Sequence, residues 1–142
     1  MKLLNLTSTV ARYFSVLKEI PLLPILIDEQ IRLFTFIFKP RLFFLMSQII
    51  KEIKTWEGIS LRTHRYGGIE FRVGNREIGH LHGGGLLDIL FDKDTKDILF
   101  KNNQISEHHV FKNTGWGSFY INENSDLQEI IYLLRKSFML KK

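Results

Sequence analysis

The chain has 142 residues and a formal net charge of +5, and its 44% hydrophobic and 25% charged residues are ordinary for a globular protein. This composition excludes disordered, collagen-like and low-complexity chains, and the length favours one domain with a single core. Because the sequence contains no cysteine, disulfide scaffolds, zinc fingers, iron–sulfur sites and cysteine nucleophiles are excluded as well.

The first 56 residues are predicted to form helices. A short helix can begin at a run of capping side chains and must end before Pro21, because proline cannot continue it. The next helix is expected over residues 25–38, and Lys39-Pro40 ends it and begins a third, whose apolar positions recur at helical spacing until Gly58. The capping side chains are Thr7, Ser8 and Thr9, and the recurring apolar positions are Leu42, Leu45, Met46, Ile49, Ile53 and Trp56.

These helices carry apolar side chains on more than one face. Such helices are buried on several sides, pack in a homodimer or make peripheral contact with a membrane surface, and the pattern leaves these alternatives open. Charged residues interrupt every apolar run before the roughly 20 residues that a transmembrane helix needs, and early polar residues argue against a signal peptide. The expected location is therefore the cytoplasm, either free or peripheral at a membrane.

The remainder of the chain is predicted to begin with three strands, over residues 59–66, 69–73 and 76–82, where β-branched and aromatic side chains alternate with polar ones. Gly67-Gly68 and Gly74-Asn75 are the expected turns, and the glycine-first pair suits a type II′ hairpin.

A fourth strand is expected over 86–91, followed by a short helix that Asp92 or Asp94 caps and that ends near Asn102-Asn103. Two further strands are then expected over 109–111 and 118–121. The spacing of Ser125 and Gln128 predicts a capping box at the start of the final helix.

This order of elements indicates an α+β fold, with an antiparallel sheet of about five to six strands packed by helices. No repeat or linker divides the chain, so residues 1–142 are expected to form a single domain whose α+β core covers 57–142. Residues 1–50 carry a charge of +3 and residues 51–142 only +2, with no run of Lys and Arg. Nucleic-acid binding relies on such a run, so there is no strong nucleic-acid signal.

All five histidines lie between positions 64 and 109, which makes this stretch the candidate site. A two-residue turn at Gly74-Asn75 would place Ile69 opposite His80. His80 and His82 would then share an otherwise apolar face, where buried histidines need hydrogen bonds or a cavity. The apolar neighbours there are Ile69, Phe71 and Val73, and the opposite face carries Glu70 and an expected surface ion pair, Arg72 with Glu77.

The face that His64 occupies depends on the preceding turn. A two-residue Gly67-Gly68 turn puts it beside His80, whereas a three-residue loop with a glycine bulge turns it outward and returns Ile59 and Leu61 to the core. We favour the longer loop because it buries more apolar surface.

Three interpretations of the histidines stay open. His80 and His82, with His108 or His109 and Asp88, could ligate a metal, although the helical spacing of zinc proteases is absent. They could instead line a ligand pocket and transfer protons, or they could simply donate hydrogen bonds to backbone carbonyls. We favour the pocket, with no metal and no cofactor expected.

Several motifs combine into a family pattern. HRYGGIEFRV occupies 64–73 and REIGHLHG occupies 76–83, and the pattern continues to the end of the chain. Together they resemble the luciferase-like domain family, over roughly residues 50–140, and any one motif alone would be weak. The later segments are Leu87-Asp88-Ile89, Glu107-His108-His109-Val110, Gly115-Trp116 and Leu133 to Phe138.

Most members of this family have no assigned function, but fungal luciferases carry such a domain and oxidise a hydroxypyrone with oxygen, without a metal or organic cofactor. The resemblance implies that His80, His82 and His109 are candidate bases for an acidic enol. It also implies that Arg65 or Arg72 holds the charge of the enolate. The remaining candidate ligand-binding residues are His64, Tyr66, Glu70, Asp88, His108 and Trp116.

We therefore expect a small enolic or aromatic ligand in a histidine-lined pocket, with a cofactor-free, oxygen-dependent oxidation as the implied activity. A more distant similarity to the double-wing domains related to frataxin, some of them labelled DNA-binding, implies the alternative. In that case the protein is a non-catalytic interaction module for a partner protein, a membrane surface or, weakly, nucleic acid.

Overall fold

A computed structural model describes residues 20–142. The described residues form four helices and one six-stranded sheet, and the helix predicted from Thr7, Ser8 and Thr9 lies outside them. The helices are α1 (Leu23–Phe38), α2 (Pro40–Ile53), α3 (Lys93–Lys101) and α4 (Leu127–Lys141). The strands are β1 (Ile59–Thr63), β2 (Ile69–Val73), β3 (Arg76–Leu81), β4 (Leu86–Leu90), β5 (Ser106–Glu107) and β6 (Trp116–Tyr120).

The sheet is open and antiparallel throughout, in the order β1-β2-β3-β4-β6-β5. Helices α2 and α4 contact each other, and α4 also contacts β3 and β4. The predicted α+β fold, with its five to six antiparallel strands and helical N-terminal segment, is confirmed.

The core lies on the face of the sheet that α2 and α4 cover. The six recurring apolar positions predicted from Leu42 to Trp56 are all buried. Trp56 meets Phe138 of α4 edge to face, with ring centroids 5.2 Å apart. From the sheet, Phe71 and Ile89 add fully buried side chains. One face of the sheet is therefore covered by apolar side chains, and polar side chains lie on the other face.

Beyond the paired residues His64 and Gly68, the turn between β1 and β2 has three residues, 65–67, as favoured above. His64 N–H donates to Gly68 O, and Gly67 N–H donates to His64 O. In this register Leu61 lies opposite Phe71, so β1 turns its apolar side chains to the core. His64 consequently lies on the opposite face, but it is half-buried there rather than free in solvent.

The predicted register between β2 and β3 is wrong beyond its first pairs. Phe71 pairs with Gly79 rather than Ile78, and Ile69 pairs with Leu81 rather than His80. A β-bulge after Glu77 inserts Ile78 as an extra residue, which is fully buried in the core. His80 therefore lies opposite Glu70, on the polar face of the sheet.

The strand predicted over 109–111 is also absent, because β5 is only Ser106–Glu107 and irregular structure follows it. The amides of Val110 and Phe111 donate to Nδ1 of His108 and are not available to a neighbouring strand.

Of the two predicted helix N-caps, that of α3 is confirmed and that of α4 is wrong. Asp92 caps α3 by accepting from the Thr95 N–H at 2.8 Å, as predicted. The predicted capping box of α4 is wrong, because Asp126 is the N-cap residue and Ser125 accepts from Asn122 N–H instead.

Helix α1 has an unusual distribution of side chains. Its buried residues are the polar Asp28 and Thr35, whereas much of its apolar surface is exposed. Among the described helices, none alone is long and apolar enough to cross a membrane. Together α1 and α2 would pass that test, but they are bent by 119° at their junction.

Candidate functional site

The polar face of the sheet centres on Asp88 of β4, which is completely buried. Ser118 of β6 donates to its Oδ1 at 2.5 Å, whereas Oδ2 has no hydrogen-bond partner among the described residues. Three imidazole Nε2 atoms surround that oxygen, at 3.4 Å from His80, 3.5 Å from His108 and 3.9 Å from His82. Burial alone would raise the pKa of Asp88, but His80 and Ser118 lower it, so the carboxylate is ionised.

His80 is the cation that balances this carboxylate. Its Nδ1 lies 2.7 Å from Glu77 Oε1, and its Nε2 faces Asp88. Burial opposes the charged form, but the two carboxylates outweigh it and raise the pKa of His80 to about 9. At neutral pH His80 is therefore an imidazolium and cannot accept a further proton.

His64 covers His80 as a second, uncharged ring. The two rings are stacked, with centroids 3.7 Å apart. Burial lowers the pKa of His64, and the neighbouring charge of His80 lowers it further. A neutral imidazole above an imidazolium avoids the repulsion of two stacked cations.

His108 has a tautomer that its backbone neighbours determine. Because Nδ1 accepts from the N–H groups of Val110 and Phe111, the neutral ring carries its proton on Nε2. That proton faces Asp88, and burial lowers the pKa of His108, which keeps the ring neutral. His108 thus directs a proton towards the central carboxylate, at 3.5 Å, rather than acting as a base.

His82 is connected to the N-terminal helix. Its Nδ1 lies 3.1 Å from Oδ1 of Asp28, and both carboxylate oxygens of Asp28 accept from Gly83 N–H, at 3.0 and 3.1 Å. A Cβ on Gly83 would lie 2.6 Å from the backbone oxygen of Asp28, so glycine is what permits this close approach. Helix α1 therefore supplies a buried carboxylate to the polar face of the sheet.

A cavity of about 500 Å³ lies between α1 and this end of the sheet. Ile27 and Ile31 of α1 form part of its apolar wall, and Tyr66 and Tyr120 add two aromatic rings. His82 and the exposed His109 also line it. The cavity therefore combines apolar and aromatic walls with imidazoles, the composition typical of a site for a small organic ligand.

Most of the predicted site residues come together on the polar face, although not on the face predicted. His80, His82, His64, His108 and Asp88 form one cluster. The predicted ligand-binding residue Trp116 packs beside it, with ring centroids 5.4 Å from His80 and 5.8 Å from His108. His109 stacks on His108 at 4.6 Å and reaches the cavity from outside the cluster.

The predicted arginines do not enter the cavity. Arg72 lies opposite Glu77 as predicted, but its ion pair is with Glu70 on its own strand, because His80 occupies Glu77. Arg65 is exposed, with its guanidinium 5.3 Å from the Tyr66 ring centroid.

Three residues that contact the cluster were not predicted. Asp28 contacts His82 across 54 positions of sequence, and no local pattern signals such a contact. Glu77 was assigned to a surface ion pair because the bulge was not foreseen. Ser118 was taken only as a strand residue, although the buried hydroxyl holds Asp88.

Several groups of side chains are close enough together to hold one metal ion. In two of them, however, a pair of imidazoles is stacked within 10° or 16° of parallel, so their lone pairs do not converge on one point. In the third, His80 and Arg72 already pair with the carboxylates. The groups are His64 with His80 and His82, Asp88 with His108 and His109, and His64 with Glu70 and Glu77.

The part of the chain from β3 into α4 carries the central carboxylate and the histidines beside it. Residues 75–137 match the family model of the Luciferase domain. Over these residues the match to the Luciferase domain confirms the resemblance drawn from the sequence, and the motif at 64–73 lies outside it. It includes His80, His82, Asp88 and His108, and it leaves Asp28 outside. Searches of curated proteins and of solved structures found no significant match.

Proposed function

We propose that the protein binds a small planar enol or phenol in the cavity beneath α1 and that His82 removes its acidic proton. The contact between His82 Nδ1 and Asp28 Oδ1, at the cavity wall, carries this proposal. The Luciferase domain supports a small-molecule site on this surface, whereas the ligand class rests on the cavity itself.

The shape and lining of the cavity favour an aromatic ligand. Tyr66 and Tyr120 lie on its wall, and an aromatic ring can stack against either. The isoleucines of α1 add an apolar wall, which favours removing a flat, weakly polar molecule from water.

The orientation of His82 suits a general base. When Nδ1 donates to Asp28, the lone pair of the neutral ring is on Nε2. Nε2 lies 3.9 Å from Asp88 Oδ2, which is beyond hydrogen-bonding distance but close enough to stabilise the imidazolium that forms. His82 is thus oriented by one carboxylate and stabilised by a second, the arrangement that makes an imidazole an effective base.

The resident charge of His80 attracts the enolate and opposes the positive charge that forms on His82, which the carboxylates of Asp28 and Asp88 offset. Its ring centroid is 5.1 Å from that of His82, and its imidazolium is present before any ligand binds. A fixed positive charge near a developing enolate stabilises it without reorganisation.

An oxidation extends this proposal, with molecular oxygen as the co-reactant. The enolate carbon gives an electron pair to oxygen and forms one C–O bond, and the proton held by His82 completes a hydroperoxide. The ligand is oxidised by two electrons and oxygen is reduced by two, so no cofactor is needed. Oxygen consumption that depends on the ligand and on His82 would test this extension separately.

Ultraviolet difference spectroscopy of a hydroxypyrone tests the proton transfer. At a pH below the pKa of the free ligand, we expect the enolate band to appear when it binds to the protein. The methyl ether of the same compound binds in the same cavity without a spectral change, because it has no acidic proton. His82→Gln should bind the hydroxypyrone but lose at least about tenfold of the enolate signal, because glutamine cannot take up the proton of the ligand.

His109→Gln is the matched control, since His109 lines the same cavity but is exposed. It should retain the enolate band, and Asp28→Asn should weaken it. An enolate band of equal size in His82→Gln, or binding of neither compound, would overturn the proposal.

A further inference from the structure

We propose that the outer side of α1 and the start of α2 dock on the surface of an anionic lipid bilayer. This apolar face consists of exposed side chains between the cavity mouth and the bend at Lys39. Its members are Leu26, Ile27, Ile31, Leu33, Phe34, Phe36, Ile37 and Phe38 of α1 and Phe44 of α2. The proposal is independent of the ligand chemistry above.

The polarity of α1 is the reverse of that in a helix on a globular surface. Such a helix turns its apolar stripe to the core and its polar side to water. In α1 the buried residues are Asp28 and Thr35, and the outward side is apolar. Exposed apolar patches of this extent mark interaction surfaces, so a partner must cover this one.

The aromatic members form pairs on this outer side. Phe34 and Phe38 have ring centroids 4.5 Å apart, and Phe36 lies 5.1 Å from Phe43 across the bend. Phe38 is 65% and Phe44 64% exposed. Clustered aromatic side chains are well suited to the interfacial zone of a bilayer.

The charges around the apolar face select a membrane over a second copy of this chain. Between Glu29 and Glu52 the sequence has four charged residues, and all of them are basic. Lys39 and Arg41 flank the bend and are exposed. A symmetric dimer through this face would bring like charges together, whereas an anionic lipid surface attracts them. The four basic residues are Arg32, Lys39, Arg41 and Lys51.

The geometry indicates a helix pair that lies on the bilayer. Neither α1 nor α2 alone can cross a membrane, and the bend of 119° between them prevents one straight span. Ile27 and Ile31 belong both to the apolar face and to the cavity wall. The cavity therefore opens beside the proposed lipid surface.

Sedimentation of the full chain with vesicles tests this proposal. We expect binding to vesicles of phosphatidylcholine with phosphatidylserine and much weaker binding to phosphatidylcholine alone. The double variant Lys39→Glu with Arg41→Glu should lose on the order of tenfold in affinity for anionic vesicles, because each basic residue near the surface contributes. The double variant Phe36→Ser with Phe38→Ser should lose on the order of tenfold in affinity for both kinds of vesicle.

Matched controls use equally exposed residues elsewhere in the fold. Tyr132→Ser with Met139→Ser replaces apolar side chains of α4 that are 50% and 65% exposed, and should bind like the parent chain. Lys101→Glu with Lys112→Glu makes the same change in charge away from α1. This variant should lose only part of its binding to anionic vesicles.

Other occupants of the apolar face would give different results. If the protein does not bind vesicles but forms a dimer, and the double variant Phe36→Ser with Phe38→Ser is monomeric, the face binds a second copy. This result overturns the proposal. If the protein is a monomer that does not bind vesicles, and the face is protected from hydrogen exchange, residues 1–19 cover the face. This result also overturns the proposal. Equal binding by all variants overturns it as well.

Discussion

The ring of His64 lies flat on that of His80, with centroids 3.7 Å apart and planes 10° from parallel. The two rings have opposite pKa shifts, since burial lowers that of His64 and the flanking carboxylates raise that of His80 to about 9. The stack therefore contains one cation at neutral pH, and this charge distribution leads to the first prediction.

The stability of the protein should fall as the pH rises from about 6.5 to about 9. The pKa of His80 is raised in the folded state, so its stabilising contribution is complete below 6.5 and is lost through 9. The free energy of unfolding should decrease by as much as about 3 kcal/mol over this window, as measured by urea denaturation. The charged or titratable groups that face His80 are Glu77, Asp88, Glu70, His64, His82 and His108.

His80→Gln removes this titration and should flatten the pH profile of stability in the same window. A profile of unchanged slope in this variant would assign the effect to another group.

Asp88→Asn should lower the pKa of His80 from about 9 towards 6.5, because the charge that faces its Nε2 is removed. The free energy of unfolding should fall by about 3 kcal/mol, since a buried cation loses one of its partners. Titration of the histidine ring protons by NMR measures the first effect.

Ser118→Ala is the control for Asp88→Asn. It removes only the hydrogen bond to Oδ1 and leaves the carboxylate facing His80, so the pKa of His80 should stay raised. A pKa of His80 that stays near 9 in Asp88→Asn would contradict the central role of this carboxylate.

Gly83→Ala should detach α1 from the sheet. The added Cβ would lie 2.6 Å from Asp28 O and 2.7 Å from Arg32 Cβ, so the helix backbone must move. We expect a loss of about 1–3 kcal/mol in the free energy of unfolding and faster hydrogen exchange in α1. Gly84→Ala meets only Ile31 Cγ2, at 3.2 Å, and should be nearly neutral; equal effects in the two variants would mean that α1 does not depend on this approach.

Local patterns in the sequence were sufficient for much of the fold. The strand at 69–73 has the predicted bounds, Asp92 caps its helix, and the stripe from Leu42 to Trp56 is buried. Each of these depends on neighbours within one or two turns, where side-chain periodicity and capping chemistry act directly.

The site depended on contacts that no local pattern encodes. The cluster was predicted from histidines near one another in sequence, but its face was wrong because a regular two-residue hairpin was assumed. A bulge forms where the gain from burying Ile78 exceeds the loss of regular pairing, and that balance depends on α4 and β4. Asp28 was missed because helix periodicity does not tell which distant strand a helix will contact.

The extra residue in β3 also decides which side chains can meet. Along a regular strand, residues three apart point to opposite sides of the sheet. Glu77 and His80 are three apart, yet Nδ1 of His80 lies 2.7 Å from Oε1 of Glu77, because Ile78 takes up the odd step. A strand one residue shorter would separate the acid from the ring. The share of the His80 charge that Glu77 supports is thus a consequence of strand length, and an insertion or deletion at this point would change the electrostatics of the site without replacing any of its residues.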